Sequence, residues 1–281
     1  MKRNVMTVCI FLIGLTIFLY PIISNIYMSG TQATIINEYE QKISEKTEQE
    51  LNEMKENAKK YNSENVDKAL MVGDPFSTTE NASDNSGFYS TLNVGEIIGS
   101  IEIPVIDIEL PIYPSASEES LSKGVGHLEN SSLPVGGKST HAILSAHRGL
   151  PSAEMFRHLD KVAQGDTFYI HVLDEVLAYK VIDIVRVLPN ETSTLTVEEG
   201  KDLITLVTCD PYMINTHRLL VKGERTPFTA EEKPPEVQEE ETVKDNASFM
   251  KWGLLLALIV IILGILLYMK YRRKRRNKQD A

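Results

Sequence analysis

Residues 203–223 read LITLVTCDPYMINTHRLLVKG, two apolar runs separated by a short polar segment. The first run, residues 203–208, has the continuous apolar character of a strand that is buried on both faces, and the Asp-Pro pair after Cys209 cannot continue it. A second strand is predicted over residues 217–223. Cys209 therefore ends one strand and Arg218 begins the next. Strand ends that open into loops are positions where a rigid scaffold presents reactive groups.

Alternation of apolar and polar residues predicts further strands before this pair. Residues 101–105 and 106–112 alternate in opposite phases on either side of Pro104, which predicts a bulge or bend there. Only residues 153–162 have the spacing of a helix. The sequence thus predicts a mainly β domain over residues 91–226, a closed barrel with short helices. The remaining strand candidates are residues 141–146, 167–173 and 176–188.

The segment before the barrel has a different pattern. Apolar residues recur every three or four positions over residues 31–61, which is typical of an amphipathic helix, and a second short helix is predicted over residues 66–72. Residues 31–72 are accordingly expected to form a helical extension. Residues 73–90 are rich in Ser, Thr, Asn and Gly and are expected to form an exposed loop.

Two apolar runs are long enough to cross a bilayer. One lies at residues 5–23, and the other forms the centre of residues 249–270, after a charged linker at residues 227–248. The first run also has the basic start of a secretory signal peptide, but it is long for one and no clear cleavage site follows it. We favour an uncleaved anchor, so the barrel is expected to be flanked by two transmembrane helices.

The charges divide the chain into an acidic middle and basic ends. Residues 5–250 hold 38 of the 39 acidic residues but only 19 of the 29 basic ones. Because short basic flanks prefer the cytoplasm, residues 1–4 and the tail at 271–281 are predicted to be cytoplasmic and the middle extracellular. This describes a multi-pass protein of the cell membrane. An acidic exterior domain argues against nucleic acid as a partner, and the basic tail is interpreted as a stop-transfer signal.

Cysteine usage singles out one thiol. Cys9 lies in the first apolar run, so Cys209 is the only thiol predicted outside the membrane, and no internal disulfide is expected there. Such a thiol forms an intermolecular bond, is reactive, or is an inert buried residue.

A thiol nucleophile needs a group that shares its proton and a donor that stabilises the oxyanion formed on attack. His147, where the strand at residues 141–146 ends, is the candidate for the first task, and Arg218 for the second. Cysteine and histidine also bind zinc, but the chain has no paired CxxC and no HExxH. Neither a metal nor another cofactor is therefore predicted. Sequence separation alone does not prove that Cys209, His147 and Arg218 meet.

Three segments resemble the sortases, a family of cysteine transpeptidases. Residues 205–209 (TLVTC) match the family's TLxTC signature, residues 145–149 (SAHRG) resemble the segment around its histidine, and residues 215–221 (NTHRLLV) resemble the segment around its arginine. The similarity covers residues 94–223 and implies a closed sortase-type β-barrel.

The resemblance also implies roles for individual residues. It makes Cys209, His147 and Arg218 catalytic. Residues close to them in the sequence are expected to contact the substrate, namely Thr208, Asn215 and His217.

Features outside the barrel resemble class C, the pilus-assembling sortases of Gram-positive bacteria. These features are the second anchor, the helical extension and the tripeptide Asp74-Pro75-Phe76. The tripeptide is similar to the class C lid, whose aromatic residue covers the cysteine and whose acid lies near the arginine. A plain helix stop is the alternative for these three residues.

Some positions depart from the family pattern. Ala146 stands where glycine is common, Phe76 where tryptophan is frequent, and Asp210 where a small hydroxyl residue is often found. Asp210 puts a negative charge beside the nucleophile, which by itself raises the pKa of Cys209 and disfavours the thiolate. Arg218 and a protonated His147 are expected to outweigh it.

The class C resemblance implies an enzyme that cleaves an LPxTG-like sorting motif of a pilin through a thioacyl-enzyme. It then joins the cleaved pilin to a lysine amine of the next one. Attaching surface proteins to a cell-wall precursor, the housekeeping task, is the alternative within the enzyme interpretation. The non-enzymatic alternative is a membrane-tethered scaffold that binds peptide and in which Cys209 is incidental.

Overall fold

The computed structural model describes most of the helical extension and all eight strands of the barrel. Its described residues are 2–64, 74, 76, 91–92, 94–191 and 193–228. The predicted helix at residues 66–72, most of the loop at residues 73–90, nearly all of the linker and the second apolar run lie outside these residues.

Two long helices precede the barrel, α1 (Lys2–Ser44) and α2 (Glu48–Glu64). The first apolar run and the start of the amphipathic stretch thus form one continuous helix. The single helix predicted over residues 31–61 is interrupted before Glu48. The Thr47 hydroxyl and amide donate to the Glu50 carboxylate at 2.7 and 2.8 Å, and the Glu50 amide donates back to the Thr47 hydroxyl at 3.3 Å. This capping box begins a new helix.

The barrel is closed, as predicted, and has eight strands. They are β1 (Gly99–Ile103), β2 (Ile108–Tyr113), β3 (Val125–His127), β4 (Thr140–Ser145), β5 (Thr167–Val172), β6 (Glu175–Val187), β7 (Asp202–Asp210) and β8 (His217–Thr226). Of these, β3 is not among the predicted strands. The order around the barrel is β1-β2-β3-β4-β7-β8-β6-β5. The β2–β3 and β4–β7 pairs are parallel and the others antiparallel. A short helix, α3 (Glu118–Lys123), precedes β3.

The chain reverses direction near Pro104, where the sequence predicts only a bulge or bend. Pro104–Ile106 forms a turn of 3₁₀ helix, and Asp107 adopts the left-handed conformation with φ 53°. As a result β1 pairs antiparallel with β2, with Ile103 opposite Ile108. The phase change therefore marks a hairpin and not the predicted bulge or bend, since opposite phases of alternation also fit the two arms of a hairpin.

The helix predicted over residues 153–162 is reduced to a single 3₁₀ turn at Leu159–Lys161. The Arg157 guanidinium donates to the carbonyl oxygens of Leu150 and Ala153 at 2.7 and 3.1 Å. The Ala153 oxygen is the acceptor that an α-helix would pair with the Arg157 amide. A side chain has therefore taken the place of a helical backbone bond.

Polar contacts fix the helical extension against the barrel in addition to apolar packing. The Tyr39 hydroxyl donates to the Ile98 carbonyl at 3.2 Å and accepts from the Leu173 amide at 2.9 Å. The Asn62 amide group pairs with the backbone of Leu133, at 2.7 and 3.1 Å. Because buried polar groups contribute stability only when their hydrogen bonds are made, these contacts set the orientation of α1 and α2 on the barrel.

Candidate active site

Strand β7 carries Cys209 to one rim of the barrel. The residues of β7 from Leu203 onward are buried, in agreement with the continuous apolar run in the sequence. Cys209 is the penultimate residue of the strand and is 8% exposed. Its partner across the β7–β8 ladder is Arg218, the second residue of β8. The two side chains that the sequence predicts to act together are therefore neighbours on paired strands.

His147 reaches the same rim from β4. Strands β4 and β7 are parallel with Ser145 beside Val207, and the Ala146 amide donates to the Val207 carbonyl at 3.1 Å. Continued by two residues, this register leads from Ser145 to His147 and from Val207 to Cys209, so both residues follow the same end of the β4–β7 pair. The His147 carbonyl accepts from the Phe156 amide at 3.1 Å, which holds the turn that follows. The structure thus brings together Cys209, His147 and Arg218.

The predicted lid lies against this rim. The Arg218 guanidinium donates to both carboxylate oxygens of Asp74, with Nε–Oδ1 at 2.8 Å and Nη2–Oδ2 at 2.7 Å. The Phe76 ring is 5.1 Å from the Arg218 guanidinium carbon, and its centroid is 5.7 Å from that of the His147 ring. Asp74 and Phe76 therefore contact two of the three candidate catalytic residues. Pro75 lies outside the described residues.

This arrangement raises the pKa of the Cys209 thiol above its ordinary value. Burial raises its pKa most, the positive charge of Arg218 lowers it, and the negative charge of Asp74 raises it again. Asp74 thus opposes the thiolate in two ways, by its own charge and by neutralising the guanidinium.

Asp210 does not act on Cys209 as the sequence suggests. Successive side chains of a strand point to opposite faces, and the Asp210 carboxylate is bound on its own face by Arg148 and by Arg186 Nε, the latter at 2.9 Å. Its charge is therefore balanced by these two arginines and not by Arg218 and His147. The acid that raises the pKa of Cys209 is Asp74.

The three residues expected to contact substrate have different environments. Thr208 is fully buried, and its hydroxyl donates to the Ala146 carbonyl at 2.7 Å. Asn215 and His217 are exposed beside Arg218, whose Nη1 donates to their backbone carbonyls at 3.2 and 3.1 Å. Thr208 is thus placed to fix the β4–β7 rim, whereas the side chains of Asn215 and His217 are accessible.

Two further groups near the rim have no counterpart in the sequence predictions. The Glu118 carboxylate, at the start of α3, lies 3.6 Å from Nε2 of His147. Arg148 is buried and links the His147 turn to Asp210. The position of Arg148 directly after His147 indicates that it lies near the site, but the sequence does not show which acid it binds. Among the described residues, no group of three or more His, Cys, Asp or Glu side chains could hold a metal ion.

Comparison with known proteins identifies the family of the domain. A family model for the sortase domain matches residues 101–226. The chain is 30% identical over 167 residues to Sortase D of Bacillus subtilis, covering 59% of this chain and 76% of that protein. It is 29% identical over 135 residues to Sortase A of Bacillus anthracis, covering 48% of this chain and spanning 62% of that protein's length. The chain belongs to the sortase family of cysteine transpeptidases.

Similarity to solved structures identifies the class of sortase. A sortase C of Streptococcus pneumoniae is 48% identical, with a TM-score of 0.62, covering 70% of this chain and 98% of that one. A pilus-related sortase C of group B Streptococcus is 41% identical, with a TM-score of 0.63, covering 68% of this chain and 97% of that one. Within the family, this chain is a class C sortase.

Proposed function

We propose that this chain is a membrane-anchored transpeptidase that joins pilin subunits into a covalent polymer. The observation that carries the proposal is the pairing of Cys209 with Arg218 across the β7–β8 ladder, together with the contacts of Phe76 with both Arg218 and His147. Support comes from similarity to sortase C structures, one of which was described for its pilin substrate specificity. The substrate is a pilin with an LPxTG-like sorting motif, and the acceptor is a lysine amine of the next pilin.

In the first step His147 takes the proton of the Cys209 thiol, and the resulting thiolate attacks the carbonyl carbon of the motif's threonine. The carbonyl electron pair moves to oxygen, and the Arg218 guanidinium stabilises the resulting oxyanion. Collapse of this intermediate breaks the bond to glycine, and protonated His147 gives its proton to the departing amine. The product is a thioester between Cys209 and the threonine.

In the second step the lysine amine attacks the thioester carbonyl. The neutral His147 takes the proton that the amine loses, and the Cys209 thiolate leaves as the isopeptide bond forms. Transfer exceeds hydrolysis when the amine reaches the thioester before water does. In this mechanism the exposed residues Asn215 and His217 contact the peptide, and the buried Thr208 supports the rim through its bond to Ala146.

The membrane anchor is part of the proposal. The segment Ile10–Ser44 of α1 contains an 18-residue window with mean hydropathy 1.9 that is not buried in the protein. Ile10, Phe11, Ile17 and Phe18 are each more than 60% exposed, and a bilayer would cover them. The second anchor at residues 249–270 and the cytoplasmic placement of both ends are supported by the sequence pattern alone.

A reconstituted reaction tests the function. The full-length chain in detergent is incubated with an LPxTG-containing peptide and a lysine-bearing pilin segment, and products are identified by mass spectrometry. We expect a thioester on Cys209 and an isopeptide product. Acyl transfer to a cell-wall precursor amine but not to the pilin lysine would instead support the housekeeping task. Binding of peptide without any cleavage would support the scaffold.

Lid opening is required by this mechanism, because Asp74 occupies the Arg218 donors that the oxyanion needs. We expect Asp74→Ala to speed modification of Cys209 by a small thiol reagent by about 10–100-fold, since hydrogen bonds to charged groups contribute about 1.5–3 kcal/mol each. Phe76→Ala should also speed it, because it removes the ring that contacts Arg218 and His147. Asp74→Ala should also lower the pKa of Cys209, because it removes a negative charge and frees Arg218. The measurement is the alkylation rate as a function of pH.

Asp166→Ala is the matched control for the lid variants. The Asp166 carboxylate accepts a hydrogen bond from the Ala163 amide at 2.8 Å. Asp166 lies in the loop before β5 and not at the rim. Its substitution should leave the alkylation rate unchanged. Equal rates in the wild type and both lid variants would contradict the lid assignment.

A further inference from the structure

A chain of four charged side chains runs behind the candidate active site. Arg148 bonds Asp210 through Nη1 and lies 2.9 Å from Asp160 through Nη2, while Arg186 Nε donates to the second Asp210 oxygen at 2.9 Å. Signs alternate along Asp160, Arg148, Asp210 and Arg186, so the set is neutral. The remaining Arg148 donor, Nε, is bonded to the Arg157 carbonyl at 3.3 Å.

The central pair of this chain is buried. Arg148 and Asp210 are each 6% exposed, whereas the Arg186 side chain is 57% exposed. A buried ion pair stabilises the folded protein little more than well-packed hydrophobic residues of similar volume would. Removal of one partner, however, leaves an uncompensated charge in the interior. The pair therefore calls for an explanation beyond stability.

The position of the pair suggests what that explanation is. Arg148 directly follows His147 in the turn after β4, and Asp210 directly follows Cys209 at the end of β7. Regular pairing of β4 with β7 ends at Ser145 and Val207, and one more backbone bond follows at Ala146. Beyond that bond, the Arg148–Asp210 contact continues the connection between the two elements.

We propose that Arg148 and Asp210 are positioning residues that hold the His147 turn against the Cys209 strand, with Arg186 completing the charge balance of Asp210. This inference rests on the proposed function. The clamp, meaning Arg148, Asp210 and Arg186, touches neither the substrate nor the thiol. It acts by fixing the distance over which a proton must pass and by keeping the Asp210 charge from opposing the thiolate.

Three variants separate the positioning role from charge and from folding. In the neutral set of four side chains, which includes Asp160, Asp210→Asn leaves one excess positive charge and Arg148→Met leaves one excess negative charge. The double variant restores neutrality but lacks the ionic contact. The other charged and titratable groups around Cys209, namely Arg218, Asp74 and His147 with its neighbour Glu118, are the same in all three.

The first readout is the pH dependence of Cys209 alkylation in the full chain. It is resolved by peptide mass spectrometry, because Cys9 is the other cysteine. We expect the pKa of Cys209 to fall in Asp210→Asn and to rise in Arg148→Met, each by about half a unit to one unit, and to return to the wild-type value in the double variant. Shifts in the same direction in both single variants, or no shift, would overturn the charge-balance part.

The second readout is kcat for peptide cleavage. We expect the double variant to lose at least about tenfold in kcat despite its normal thiol pKa, because a small misplacement of reacting groups has a large effect on rate. A double variant with kcat within twofold of the wild type would overturn the positioning role. If the wild type itself cleaves no peptide, the proposed function fails while the alkylation profiles still test the charge balance.

Asp202→Asn is the matched control, the same change at the opposite end of β7. Asp202 is partly buried and accepts from Tyr179 and the Gly137 amide, both at 2.9 Å. It should lower the melting temperature without changing the Cys209 profile or kcat. If Arg148→Met does not fold, Arg186→Gln replaces it in the experiment, because the Arg186 side chain is half exposed and its substitution should be tolerated. It should raise the pKa of Cys209 by less than Arg148→Met, and a fall in that pKa would overturn the charge balance.

Discussion

Cys209→Ala is expected to abolish cleavage and transfer while the protein stays folded and still binds the sorting peptide. The substitution removes one sulfur atom from a side chain that is 8% exposed, so the loss of packing is small compared with a large-to-small core change. No other thiol is available at the rim, because the only other cysteine, Cys9, lies in the first apolar run. Loss of a catalytic nucleophile lowers turnover by more than about 10⁴-fold.

The measurement combines isopeptide formation with peptide binding by fluorescence anisotropy. Cys9→Ala is the control, and it should leave both quantities unchanged. The scaffold interpretation predicts a different result. If Cys209 is incidental, cells that carry Cys209→Ala should still assemble pili. Polymer formation at the wild-type rate would therefore remove Cys209 from the mechanism and with it the enzymatic proposal.

Strand ends could be predicted from the sequence because they are marked locally. The apolar run of β7 stops at an Asp-Pro pair, and the strand after Cys209 starts at His217, so the facing positions of Cys209 and Arg218 follow from a short connection between antiparallel strands. His147 is different. Its place at the same rim depends on the parallel pairing of β4 with β7, which lie more than fifty residues apart in the chain. Its position at a strand end made it a candidate, but only the family resemblance indicated that it acts with Cys209.

Tertiary contacts explain the predictions that failed. The helical spacing of residues 153–162 is real, but Arg157 takes the carbonyl oxygens and the Phe156 amide bonds to His147. Likewise the charge of Asp210 is visible in the sequence, whereas Arg148 and Arg186 come from separate elements. Local patterns report what a segment prefers in isolation, and these segments are decided by distant partners.

Arg218→Lys is expected to have opposite effects on two properties of the same site. The guanidinium is a planar fork, and in the closed site its Nε and Nη2 donate to the two oxygens of Asp74. A lysine ammonium is a point charge on a flexible stem and cannot reproduce this geometry. The lid contact should weaken, so alkylation of Cys209 should become faster. The oxyanion should lose an oriented donor, so kcat/KM for transfer should fall by about 10²–10³-fold.

This divergence separates an oxyanion donor from a purely structural arginine. If Arg218 only held the lid, its replacement would speed alkylation and leave transfer intact or improved. If it only stabilised the rim, both properties would decline together with the melting temperature. Arg225→Lys is the control because Arg225 lies on the same strand, with its guanidinium carbon 5.7 Å from the Tyr179 ring and far from Cys209. Transfer by Arg218→Lys within threefold of the wild type would contradict the oxyanion role, since Asp74 and the oxyanion must use the same donors in turn.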